Sequence, residues 1–135
     1  MNFEFKIIKE KDYIIITLHG NLMDKSQAEA LIESADELVK NNCCKWAIDL
    51  KELVYMNSSG LNTLIQLLTK ARVGGGETVL YNMNKKINEL ILITKLNGYD
   101  NKIIKNGSTE FERKYFELNK KVMNPILIFN LLLTD

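Results

Sequence analysis

The stretch Asp49-Leu50-Lys51-Glu52-Leu53-Val54-Tyr55-Met56-Asn57-Ser58-Ser59-Gly60-Leu61 decides the fold. It continues the apolar run Trp46-Ala47-Ile48, so Lys45 to Leu50 reads as a short strand with a loop after it. From Asn57-Ser58-Ser59-Gly60 a helical pattern opens. Leu61, Leu64, Ile65 and Leu68 recur at the i, i+3, i+4, i+7 spacing of one buried face, which predicts a helix from about Ser59 to Arg72. Hydroxyls therefore stand where a helix begins. Serine is favoured there because its oxygen satisfies an orphan backbone N–H. The same free N–H groups and the macrodipole favour negative charge, so a serine here is a plain cap or a place to put a phosphate.

On the N-terminal side, Phe3, Phe5 and Ile7 alternate with Glu4 and Lys6, the period of a half-buried strand. After the polar turn Lys9 to Asp12, Tyr13 to Leu18 is nearly continuous and β-branched, as expected of a more central strand ended by His19-Gly20. These two strands should pair as a hairpin. A helix follows, with Ala28, Leu31, Ile32, Ala35, Leu38 and Val39 on one face. Asp24 or Ser26 could cap it, Ser26 and Glu29 having capping-box spacing, and Asn41-Asn42 is a plausible stop. Beyond the serine helix, Gly74-Gly75-Gly76 reads as a C-cap and turn. It is not a phosphate loop, because no Gly-Lys-Ser/Thr follows and the order is helix then strand.

Glu77 to Tyr81 is a fourth strand, Asn84 to Ile91 a third helix, and Lys102 to Ile104 a short last strand. Thr109 and Glu112 have capping-box spacing, with Phe111, Tyr115, Leu118 and Val122 at helical intervals after them. The order β-β-α-β-α-β-α-β-α predicts an α/β domain over residues 1–121, its sheet of about five strands mixed but mostly parallel, with flanking helices. Residues 122–135 form an apolar extension, Ile126 to Leu133 after Asn124-Pro125, too short to span a bilayer as a helix. It is expected to pack on the domain, the alternative being a partner or a homodimer made through the tail.

Composition excludes several functions. A formal net charge of +1, with 46% apolar and 26% charged residues, offers no electrostatic footprint for nucleic acid or an anionic membrane. The N-terminus lacks the layout of a signal peptide and no apolar run reaches the ~18 residues of a membrane span, so a reduced cytoplasmic location is expected. The adjacent Cys43 and Cys44 suit small apolar residues at a helix-to-strand junction, with no second pair for a disulfide framework or zinc site. No metal or cofactor is expected. His19 is the only histidine, and no Gly-x-Ser-x-Gly elbow exists, so an enzyme would have to pair Ser59 with His19. Non-enzymatic function is the expectation. Asp24 converges on the serine loop if both lie at one end of a parallel sheet, whereas Asp49 reads as turn chemistry. Lys85 and Lys86 begin a helix, where the dipole disfavours cations; they are solvated, or read by an acidic partner.

The layout Asp49-Leu50, Leu53, Tyr55-Met56-Asn57-Ser58-Ser59-Gly60-Leu61, then Ala71-Arg72, Gly75-Gly76-Glu77 and Val79-Leu80, resembles the STAS domain. More narrowly it resembles bacterial anti-sigma factor antagonists. Gly20-x-Leu22-x-Asp24 and the stretch Leu90 to Leu96 match too, and the resemblance covers about residues 3 to 120. It implies that Ser59, with Ser58 as neighbour, is phosphorylated by a partner anti-sigma factor that is a serine kinase. It also implies a partner-binding surface of Asp24, Asn57, Ser58, Ser59 and Gly60. Many members carry Asp where this chain has Asn57, a departure that removes a charge but leaves a side chain able to cap. The expected function is that of an anti-sigma factor antagonist released by phosphorylation. The alternative is a STAS scaffold, or a module for a small anionic ligand, in a signalling or transport assembly without a kinase switch.

Overall fold

The computed structural model describes residues 2–93 and 102–104. Five strands, β1 (Glu4–Lys9), β2 (Ile14–Leu22), β3 (Lys45–Met56), β4 (Glu77–Tyr81) and β5 (Lys102–Ile104), lie side by side in chain order. The first two form the expected hairpin, Glu4 opposite His19 and Lys9 opposite Ile14. All later neighbours are parallel. The crossovers are α1 (Glu29–Lys40, entered through a 3-10 turn Lys25–Ala28), α2 (Ser58–Val73) and α3 (Lys85–Ile93). When strands are added one after another in one direction, right-handed crossovers all fall on the same side of the sheet. The core agrees: Leu31 and Ala35 of α1, Leu61, Leu64, Leu67 and Leu68 of α2, and Ile87 of α3 share one cluster. They meet Ile14, Ile16 and Leu18 of β2, Trp46, Ile48 and Leu50 of β3, and Leu80 of β4. The opposite face carries Ile15, Ala47, Val79 and Tyr81, also buried.

Two strands run further than the sequence suggested. β2 continues through His19-Gly20 to Leu22, and β3 continues through the expected loop to Met56. Along the lengthened end of β3 the buried residues Leu50, Leu53 and Met56 stand three apart, a period no ideal strand has. Pairing slips between Thr17 and His19 and again between Gly20 and Asn21, each time with one extra residue on β3. These are β-bulges, and each restores the next buried residue to the core face. Gly20 lies at the second slip with φ +92, and a Cβ there would fall 2.0 Å from the Asn2 carbonyl oxygen.

The remaining boundaries are close to expectation. Asn41 is the C-cap of α1 with Asn42 at φ 59, and Gly74 and Gly75 end α2. The Ser26–Glu29 capping box does not form; Ser26 lies inside the 3-10 turn, and α1 starts after Ala28 without a side-chain cap. The helix expected around Thr109 to Val122, the extension 122–135 and any dimer contact through it lie outside the described residues. Among the described residues no helix is long and apolar enough to cross a membrane.

Candidate functional site

The parallel strands end on one edge of the sheet, so the turns from β2 to α1, β3 to α2 and β4 to α3 gather there. At the middle turn the chain leaves β3 through Asn57, whose extended backbone (φ −104, ψ −167) marks it as the N-cap of α2. Its Oδ1 accepts the Gly60 N–H at 3.0 Å, and its Nδ2 donates to the Met23 carbonyl at 2.9 Å. Neither serine makes the capping bond; of the two readings the sequence left open, the plain serine cap is not the one the structure shows. The reason is chemical. Asn caps as well as Ser, and its amide adds a donor that a hydroxyl engaged in capping does not supply here. One side chain thus starts the helix and ties it to the neighbouring turn.

Ser58 and Ser59 become the first and second residues of α2, Ser58 exposed and Ser59 half-buried. The Ser59 carbonyl accepts from Thr63 Oγ1 at 3.5 Å. Gly60 follows because the helix start abuts the end of β2; a Cβ at Gly60 would lie 2.1 Å from the Leu22 carbonyl oxygen. On the other side of the contact, Gln27 Oε1 accepts the backbone N–H of both Met23 and Asp24, at 2.9 and 3.0 Å. Asp24 is exposed and stands at the N-cap position of the 3-10 turn. The five expected residues, Asp24, Asn57, Ser58, Ser59 and Gly60, therefore share one end of the sheet.

Sequence reasoning missed the carbonyls of Leu22 and Met23, and Gln27. The Asp24-x-x-Gln27 spacing carried a capping-box signal that was passed over for Ser26 and Glu29. It also missed Asn84, which repeats the device of Asn57. Asn84 Oδ1 accepts the Ile87 N–H at 2.9 Å, while Nδ2 donates to the carbonyls of Leu53 and Val54 at 3.2 and 2.9 Å. β4 pairs with β3 only as far as Asp49, and Asn84 bonds two β3 carbonyls beyond that point.

Other singled-out residues lie elsewhere. Asp49 pairs with Thr17 within the sheet, and its Oδ1 accepts from the Lys51 N–H at 2.9 Å and Asn82 Nδ2 at 3.2 Å, a structural role. His19 stands between Glu4 and Glu52, and by alternation with the core residue Leu18 it lies on the sheet face away from α2. A Ser59–His19 nucleophile pair is thus out of hydrogen-bond reach. Cys43 and Cys44 precede β3, at the opposite end of the sheet, as free thiols. Burial, and secondarily the neighbouring Cys43, pushes the Cys44 thiol above its ordinary value. Among the described residues no group of three or more His, Cys, Asp or Glu could hold a metal ion.

The chain is similar to proteins with this architecture. The STAS domain family model matches residues 4–108. The anti-sigma F factor antagonist of Paenibacillus polymyxa is 26% identical over 117 residues, covering 83% of this chain and 97% of that protein. The anti-sigma factor antagonist SpoIIAA in its unphosphorylated form superposes with a TM-score of 0.65 at 14% identity, covering 88% of this chain and 100% of that one. The phosphorylated form of SpoIIAA, described as a Bacillus cell fate determinant, gives the same TM-score, identity and coverage. At that identity the solved structures speak for the fold alone. The family match spans the hairpin, the bulged β3 and the Asn57-capped helix, and the protein belongs to the STAS domain family.

Proposed function

We propose that the unphosphorylated protein binds an anti-sigma factor, that this partner is a serine kinase acting on Ser59, and that phosphorylation ends the binding. The protein is then a substrate and a presented surface, with no chemistry of its own. The observation that carries this reading is the division of labour at the head of α2. Asn57 supplies the cap, so Ser58 and Ser59 stand in the first turn with neither hydroxyl committed to capping. A phosphoserine carries about −1.5 to −2 charges at pH 7. In the first turn of a helix that charge is tolerated or favoured by the dipole and the free N–H groups. The fold should change little, and the surface much. A partner seated on the bare serines would have to desolvate a dianion or face like charge, and would dissociate.

The antagonist name of the Paenibacillus relative supports the anti-sigma partner. Substitution at Ser59 separates this reading from a scaffold without a kinase switch. Ser59→Ala should bind the anti-sigma factor as the wild type does, and Ser59→Asp should lose at least a factor of about ten in affinity, on the scale of one buried unpaired charge. Equal binding by Ser59→Asp favours the scaffold.

A further inference from the structure

We infer that the partner is anchored on an apolar collar beside the serines, formed by Met23, Val54 and Tyr55 and edged by Lys85 and Lys86. Its docking surface is therefore an apolar pocket bordered by carboxylates. The inference rests on the binding reading above and names the surface that does the binding. The large hydrophobics exposed among the described residues are Ile8, Met23, Val54, Tyr55 and Val73. Three of these five lie where β2 and β3 end: Met23 is 41% exposed, Val54 50% and Tyr55 42%. Tyr55 pairs with Asn21 and Met56 with Leu22, which sets Met23 diagonal to Tyr55 on adjacent strand ends, next to Asn57-Ser58.

The collar is held in place from behind. Asn57 grips the Met23 carbonyl, Gln27 the Met23 N–H, and Asn84 the Val54 carbonyl. With the backbone of Met23 and Val54 already fixed by the fold, docking there has mainly side-chain rotamers to order, and a few such residues can carry most of an interface's affinity. Asn84 also begins α3, so the exposed Lys85 and Lys86 follow directly from the bond that holds Val54. Neither lysine is in an ion pair among the described residues, although Glu89 lies one turn further along the same helix. Cations at the positive end of a helix weaken the fold, and an acidic partner surface gives them a use. The arrangement also accounts for release. An apolar collar excludes water, so a phosphate on Ser59 would be stripped of solvent against it while the partner's own carboxylates repel it.

The test uses the full chain, purified anti-sigma factor kinases, and titration calorimetry at low and high salt. Met23→Gln with Val54→Thr alters exposed side chains at near-constant shape and should weaken binding at least tenfold at both salt concentrations. K85E with K86E should weaken it at least tenfold at low salt, with a smaller effect at high salt. Thermal melts make the second variant decisive. Acidic residues at a helix start should leave the melting temperature unchanged or raised while affinity falls, opposite signs that a merely structural role does not produce. Wild-type affinity in either variant overturns the collar while leaving the binding reading intact. Failure of the wild type to bind any such kinase overturns both.

Discussion

Replacing Gly60 by alanine tests whether the glycine after the serines is demanded by the fold. Two effects compete at this position. Gly60 is the third residue of α2, and alanine in a helix is favoured over glycine by roughly 0.5–1 kcal/mol. Against that, the added Cβ would fall 2.1 Å from the Leu22 carbonyl oxygen and 2.9 Å from Met56 Cβ, well short of the 3.4 Å at which ordinary contact begins. The nearest obstacle is backbone, and the helix start is pinned to the next turn by the Asn57–Met23 bond, so no flexible side chain can yield. Overpacking of this kind costs about 1–3 kcal/mol. The steric effect wins, and a net destabilisation of about 1–2 kcal/mol is expected. In urea, with a slope of roughly 1–3 kcal/mol per molar, the midpoint should fall by ~0.5–1 M at unchanged slope. A midpoint equal to or above wild type would refute the close approach of α2 to β2, because helix propensity alone gives the opposite sign.

Four further outcomes follow from the structure. Asn57→Ala removes the cap and the tie to Met23 and should cost about 1–2 kcal/mol in urea unfolding. Asn57→Asp keeps the acceptor for Gly60 but sets a carboxylate oxygen against the Met23 carbonyl, so it should recover only part of that loss. For the thiols, alkylation of the folded protein followed by mass spectrometry should label half-buried Cys43 before Cys44. Because the Cys44 thiol is raised in the folded state, its contribution to stability is present below the ordinary thiol value and is lost as pH climbs above about 8.5. Wild type should therefore lose stability more steeply in that alkaline range than Cys44→Ala does.

Much of the fold was legible because its signals are local. Alternation in Phe3 to Ile7, β-branching in Ile14 to Leu18 and the helical spacing of Leu61 to Leu68 each answer to a single period, and the structure follows them. The ends of β2 and β3 were not legible for the converse reason. Leu50, Leu53 and Met56 fit no strand period until a bulge adds one residue between each pair, and a bulge is a property of two strands together. The site divides the same way. A helix start at Ser58-Ser59 could be read from spacing, whereas the choice of Asn57 as cap depends on a Met23 carbonyl 34 residues away. Gly60 looked like part of a motif and turned out to answer to the Leu22 carbonyl, a contact no linear pattern encodes.

A phosphate on Ser59 that ends partner binding is the step we propose. Its most direct test incubates the protein with an anti-sigma factor kinase and ATP, locates the phosphate by mass spectrometry, and measures binding of the modified protein to the same factor. Phosphate on Ser59, absent in Ser59→Ala, together with loss of binding by the modified form, is the predicted result. No incorporation, incorporation only away from Ser58 and Ser59, or undiminished binding by the phosphorylated protein would contradict it.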